Sequence, residues 1–335
     1  MSTLTAFETP AVTITGLQKR YGDVEAVRGI DLDVAPGELF GFLGPNGAGK
    51  STTIKILCTL VQPTAGTAWV AGYDVVQQRG EVRRNIGLVF QETTLDDYLT
   101  AEHNLRFHAE IYGMPRSIVD RRIGEVLDLV GLSERRHHDV MGFSGGMKRR
   151  LEIARGLLHS PRVLFLDEPT VGLDPESRGT LWKYVDELRR REHITVFLTT
   201  HYMDEAERCE RIAIIDSGRI AALGTPSDLK ARVGSDRIHL QTTAEPAAVA
   251  ELVRERLGVA ASVDGDVVVV DAPDGERFAP RLFELGLSVT SVRITRPTLD
   301  DVFLAYTGNR LQEAEKKAGR QMPPAMRMRM RGAMR

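Results

Sequence analysis

Residues 44–52 read GPNGAGKST, a complete G-x-x-x-x-G-K-[ST] pattern between an apolar run, LFGFL, and a helical one, TIKILCTL. Glycines at 44, 47 and 49 let successive backbone N–H groups turn inward around phosphate oxygens. Lys50 then reaches the terminal phosphates, and the Ser51 hydroxyl is placed for Mg²⁺. Pro45, Asn46, Ala48 and Thr52 complete the expected nucleotide-binding loop. A second constellation, VLFLDEP at 163–169, puts Asp167 and Glu168 at a strand's carboxyl end, where open α/β sheets build their sites. Asp167 suits Mg²⁺, usually through water. Glu168, alternating to a different direction along the strand, is the candidate base that orients and deprotonates an attacking water. Adjacent acids at a turn are common by chance, and their pairing with a phosphate loop gives them weight.

A third stretch raises a separate question. GFSGGMKRRLEIARGLL begins at 142 and opens a strongly basic helical pattern. Ser144 is a good helix cap, and Gly145 and Gly146 leave N–H groups uncovered at the positive helix end, which suits an anion. One nucleotide per chain needs only one phosphate loop, so this second opening needs a different purpose.

The elements around these motifs alternate. VTIT (12–15), IDLDV (30–34) and LFGFL (39–43) read as short strands, broken by a Tyr-Gly-Asp turn at 21–23 and by Pro36-Gly37. Strand patterns return at TAWVAG and NIGLVF, and from about 100 to 158 the pattern is helical. There Ile123, Val126, Leu127 and Val130 mark one apolar face. The sheet resumes with VLFLDEP, whose unbroken apolar run fits a parallel strand buried on both faces. A helix (175–192), ITVFLTTH, another helix and the hairpin RIAIID-SG-RIAALG follow, so a doubly wound α/β domain spans 1–235 with a helical subdomain at about 100–158. Residues 236–310 run β-α-β-β-α-β-like, as in a small α+β domain. The tail, 311–335, carries seven Lys/Arg, two Glu and five Met without apolar periodicity, and reads as disordered.

Composition narrows the function classes. With 335 residues, two domains are expected, and 42% hydrophobic content supplies real cores. The 44 basic and 46 acidic side chains nearly cancel, which argues against a polyanion-binding surface and a nucleic-acid partner. Cys58 and Cys209 stand far apart without metal-ligand spacing, as in a reducing cytoplasm. No run of about 18 apolar residues occurs, so the chain is not expected to cross a membrane alone.

GPNGAGKST, Gln91 in LVFQE, FSGGM, VLFLDEP, GLDP at 172–175 and His201 in LTTH together resemble the nucleotide-binding domain of an ABC ATPase over about residues 12–235. The resemblance implies ATP and Mg²⁺ as cofactors, with Ser51, Gln91 and Asp167 on the metal side. It implies that Tyr21 in KRYGD stacks on adenine, that Gln91 senses the γ-phosphate and Mg²⁺, and that His201 contacts the γ-phosphate beside the catalytic Glu168. Ser144, Gly145, Gly146 and Met147 would then cap the ATP of a second copy, so two domains sandwich two nucleotides head to tail. Phe143 and Met147 depart from the commoner Leu and Gln of that signature.

The stretch from FSGGM through IIDSGRI, with RPTLDDVFLAYTG at 296–308, resembles the ATP-binding subunits of daunorubicin/doxorubicin-type exporters, with Asp301 replacing a Glu. That implies a separate transmembrane permease subunit, a homodimer in the complex, peripheral placement on the cytoplasmic face of the cell membrane, and a regulatory or assembly role for 236–310. The alternative is a soluble ABC ATPase of translation or repair. It would ordinarily show two ATPase domains in one chain or a long coiled coil, and neither pattern is present.

Overall fold

The computed structural model describes residues 9–308. The expected disordered tail at 311–335 lies outside the described residues. Two compact units divide between Thr225 and Pro226 rather than near 235. The break falls where the last strand of the first unit ends at Gly224 and Pro226 opens a helix.

The first unit begins with β1 (Val12–Tyr21) and β2 (Val24–Val34), a hairpin much longer than the two short apolar runs suggest. Gly16 (φ 54°) and Gly29 (φ 77°) are left-handed, and register shifts fall between Ile14 and Leu17 and beside Leu17. Bulges of this kind break the alternation by which a strand is recognised. Next come β3 (Leu39–Leu43), α1 (Lys50–Leu57), β4 (Ala65–Val70), the short β5 (Tyr73–Asp74), α2 (Arg79–Asn85) and β6 (Ile86–Val89). Helices α3 (Ala101–Ile111), α4 (Arg116–Leu129) and α5 (Gly145–Leu157) form the insertion. The chain then continues through β7 (Val163–Asp167), α6 (Pro175–Glu192), β8 (Thr195–Thr200), the one-turn α7 (Met203–Ala206), β9 (Arg211–Asp216) and β10 (Arg219–Gly224).

These strands make two sheets. One is antiparallel, in the order β2-β1-β4-β5; the other runs β10-β9-β3-β8-β7-β6 and is parallel except for its β9–β10 edge hairpin. Ser217 (φ 50°) and Gly218 (φ 78°) give that hairpin the two left-handed residues that match strand twist in a two-residue turn. Every residue of β3, β7 and β8 is buried, as expected for strands covered on both faces. Phe197 of β8 packs against Phe40, Phe42 and Phe165 with ring centroids 5.4, 5.6 and 5.5 Å away. This aromatic cluster fixes the spacing of β3, β7 and β8. Cys58 and Cys209 are free and buried.

The second unit contains α8 (Pro226–Val233), β11 (Asp236–Thr242), α9 (Pro246–Leu257), β12 (Ala261–Asp264), β13 (Val267–Ala272), α10 (Gly275–Phe283) and β14 (Val289–Thr295), with helical backbone at 299–308. Its sheet runs β12-β13-β11-β14, antiparallel throughout, the split β-α-β arrangement. Ile238 and Leu240 of β11 and Val268 and Val270 of β13 point alternately into a core of its own with Val253 and Leu282.

Candidate nucleotide-binding site

Sheet order, rather than chain order, assembles the site. Across β3, β8, β7 and β6, neighbouring carboxyl ends lead into the glycine loop, His201, Asp167–Glu168 and Gln91 respectively. A cleft of about 460 Å³ is lined there by Pro45, Asn46, Gly47, Gly49, Lys50, Ser51, Thr52, Gln91, Glu168 and His201, together with Ala26, Val171 and Tyr202. Gly44 and Ala48 of the same loop are buried. Gly49 caps α1 with φ 113°, open to glycine alone, whereas Gly44 is needed for space: a Cβ there would sit 2.4 Å from the Ile215 carbonyl. The loop is tied to the β9–β10 hairpin by Gly218 N–H donating to Ala48 O at 2.9 Å. The first-turn N–H groups of α1 have no intrahelical acceptor and carry the positive end of the helix dipole, which favours an anion at this place.

Lys50 and Glu168 are the most constrained pair. Lys50 Nζ donates to Gly44 O at 2.7 Å and to Pro45 O at 3.2 Å, and lies 3.3 Å from Glu168 Oε1. Both side chains are buried. Strand alternation is not what aims Glu168: β7 ends at Asp167, and Glu168 has a left-handed backbone, φ 46°. A non-glycine residue held there costs on the order of 1 kcal/mol or more, a cost typical of functional positions. Its N–H is held by Thr199, through the backbone O and through Oγ1, both at 3.1 Å. Thr199 Oγ1 donates in turn to Asp167 Oδ1 at 2.5 Å, so one threonine of β8 orients both acids. His201 Nδ1 lies 3.3 Å from Glu168 Oε2 without hydrogen-bond alignment, and its ring is 4.1 Å from that of Tyr202.

The other expected residues stand apart from this cleft. Tyr21, at the end of β1, is exposed, with Lys19 Nζ 4.8 Å above its ring, and does not line the cleft. Ser144, Gly145, Gly146 and Met147 head α5, also outside the cleft lining. Ser144 caps α5 as expected, its Oγ accepting from Met147 N–H at 3.2 Å. An oxygen that accepts keeps its own proton to donate outward. Gly146 is fixed by the fold, since a Cβ would meet Ser177 Oγ at 2.7 Å, but Gly145 is exposed and would meet only Leu173 at 3.7 Å.

Sequence reasoning missed Thr199, Ala26, Val171 and Tyr202. None carried a usable signal: β8 reads TVFLTT with three threonines, and only its register with β7 sets Thr199 beside Asp167. Ser51, Gln91 and Asp167 offer a hydroxyl, an amide carbonyl and a carboxylate, the hard oxygen donors that Mg²⁺ takes together with phosphates and water. The described residues hold no cluster of three or more His, Cys, Asp or Glu that could bind a metal by themselves.

Comparison with known proteins gives the family. The family described as "ABC transporter" matches residues 27–171, and the "ATP-binding protein DrrA1-3-like, C-terminal domain" matches 224–307. A daunorubicin resistance ATP-binding protein of Streptomyces coeruleorubidus is 41% identical over 91% of this chain and 98% of its own. A linearmycin resistance ATP-binding protein of Bacillus subtilis is 39% identical over 89% of this chain and 98% of its own. Among solved structures, a dimeric bacterial ABC transporter cassette covers 64% of this chain and 98% of its own, at 27% identity and TM-score 0.58. The chain belongs to the ATP-hydrolysing ABC family, in the group of drug-resistance ATP-binding subunits.

Proposed function

We propose that this chain drives a drug exporter from the cytoplasmic face of the cell membrane, two copies working together on a separate permease. The observation that carries the paired arrangement is the head of α5. Ser144 has a hydroxyl proton to give, and exposed Gly145 has no packing reason to be glycine, yet neither lines its own chain's cleft. A phosphate presented by a second copy would fit there. Met147 supplies no polar contact in place of glutamine, so the serine hydroxyl and the glycine amides carry the recognition.

Within each site, Lys50 and the loop amides hold the phosphates, Tyr21 stacks on the base beyond the cleft, and His201 and Gln91 contact the γ-phosphate side. Glu168 accepts a proton from the attacking water. Mg²⁺, held by Ser51, Gln91 and Asp167, would neutralise charge on the phosphates when bound. Among the described residues no helix is long and apolar enough to cross a membrane, which supports a separate permease. Phe107 and Ile111, 61% and 64% exposed on one face of α3, offer apolar surface for it. Relatives at nearly equal identity are named for daunorubicin and for linearmycin, which supports a permease, rather than this subunit, that selects the drug.

The paired arrangement is tested with two damaged chains. Lys50→Ala removes a phosphate contact, and Gly145→Asp puts a carboxylate where phosphate docks. Each homodimer carries both copies of one lesion. A purified mixed dimer collects both lesions in one composite site and leaves the other intact, so part of the ATPase activity should return. A verified mixed dimer with no recovered hydrolysis or nucleotide occlusion rules the trans arrangement out.

A further inference from the structure

Between the head of α5 and the catalytic carboxylates lies a buried cation that the roles above do not use. Arg149 is 6% exposed and sits five residues after Ser144. Its Nε donates to Pro169 O at 2.6 Å and its Nη2 to Asp167 O at 3.1 Å, so one guanidinium grips the backbone on either side of Glu168. Its Nη1 donates to Phe90 O, the carbonyl directly before Gln91, and to Glu152 Oε2 at 3.1 Å. One turn along the helix, Glu152 is 1% exposed and extends the link. Its Oε1 accepts from Thr94 N–H at 2.8 Å, while Arg155 Nη1 donates to Thr94 O at 3.0 Å.

We propose that Arg149, completed by Glu152, is a positioning residue that couples the signature end of α5 to the Gln91 loop and the Asp167–Glu168 turn of its own chain. In the paired reading above, on which the functional consequence rests, Ser144 faces one nucleotide while Gln91 and Glu168 face the other. Arg149 is then the rigid connection between the two composite sites within one chain. The chemistry favours arginine over any packing residue. A planar fork with five donors satisfies three carbonyls from two loops and a carboxylate at once, whereas an ammonium is a point charge and an aliphatic chain leaves those carbonyls buried and unpaired. Burial lowers the Arg149 pKa, opposed by the Glu152 charge, which fits a guanidinium kept in place for its bonds.

The test uses the full chain and the variants R149K and E152Q. R149K keeps a charge but cannot span both loops, and E152Q keeps an acceptor for Thr94 at nearly the same shape. With coupling, R149K binds Mg²⁺-ATP within about twofold of wild type, while kcat falls about tenfold to a hundredfold, the scale of a small misplacement of reacting groups. E152Q falls in between. Amide hydrogen exchange on dilute monomer reads the link without any partner copy. In the wild type, Mg²⁺-ATP should change exchange at 90–94 and at 145–150 together; in R149K the change at 90–94 persists and that at 145–150 is lost. A purely structural arginine would lower melting temperature and active fraction in step and leave kcat per folded molecule and both exchange changes intact, which overturns the proposal. If R149K does not fold, E152Q decides by the same exchange comparison. A failed mixed-dimer rescue would remove the trans reading alone, because the monomer exchange result does not depend on it.

Discussion

If Lys50 holds the phosphates as proposed, Glu168 competes with them for the same ammonium. Its Oε1 lies 3.3 Å from Lys50 Nζ, in a place where both groups are buried. Incoming phosphate oxygens must take over that charge, and doing so frees the carboxylate to face water. Glu168→Gln removes the competitor and the proton acceptor together. ATP binding should therefore tighten, by about fivefold for about 1 kcal/mol of relieved competition, while turnover falls by about 10²–10⁴. Equilibrium binding and steady-state hydrolysis on one preparation check both. Turnover near wild type sinks the base assignment, and weaker binding sinks the competition. The placement of Lys50, Asp167 and Glu168 at neighbouring strand ends was legible because it follows from motif and local spacing. The left-handed turn of Glu168 and the double grip of Thr199 were not, because backbone strain and cross-strand register leave no mark on a single segment. Arg149 was hidden for a related reason. In the run Lys148-Arg149-Arg150, nothing but the direction each side chain leaves the helix separates a surface charge from a buried clasp.

Among the elements, the helices were easier to read than the first sheet. Helix α6 starts and stops with chemistry: Asp174 Oδ1 caps Ser177 N–H at 2.9 Å, Pro175 takes the first position, and His193 closes it at φ 49°. The replacement Asp301 fits in the same way, because its carboxylate accepts from Thr298 N–H and Oγ1, both at 2.8 Å, while its own N–H returns a bond to Thr298. That is a capping box, which asks for an acid at this position more than for its length. β1 and β2 show the opposite case, their bulges and the polar, outward Lys19, exposed Arg20 and exposed Tyr21 concealing strands of ten and eleven residues. The helical insertion is braced by Glu102 in the first turn of α3, which accepts from Arg136 Nε at 2.8 Å and Arg106 Nη2 at 2.6 Å. The Arg136 bond, then that of Arg106, hold its carboxyl at about 2, below the ordinary 4.5. The unfolded chain thus takes up this proton first as pH falls. The stabilisation is complete above about pH 4.5 and drains away toward pH 2. In urea melts at pH 7, wild type should exceed E102Q, and the gap should narrow steadily below pH 4.5. A gap that does not change with pH would remove the charged brace.

At the scale of the whole molecule, cavity size does not locate the chemistry. The second unit contains a larger cleft, about 670 Å³, whose lining includes Arg237, His239, Asp271, Arg296 and Asp301. Its charges largely answer one another or neighbouring acids: Arg237 lies 3.7 Å from Asp271, and Arg296 lies 2.6 Å from Glu276. The smaller cleft of the first unit has the convergent amides, the strained acid and the ordered strand ends. This separation bears on what residues 226–308 are for. They possess their own buried core and sheet, and none of them lines the nucleotide cleft. A chain ending at Thr225 should therefore bind Mg²⁺-ATP within about threefold of full length, since every loop contact proposed for the nucleotide remains; a factor of three is well under 1.4 kcal/mol. If the second unit serves assembly or regulation, the same truncation should lose drug tolerance in cells carrying the matching permease. Aggregation through newly exposed apolar surface would imitate that loss, so the truncated protein must first elute as a soluble species and melt cooperatively. With those controls met, full tolerance from the truncated chain would exclude the assembly role, whereas loss of tolerance with intact nucleotide binding would assign it to 226–308.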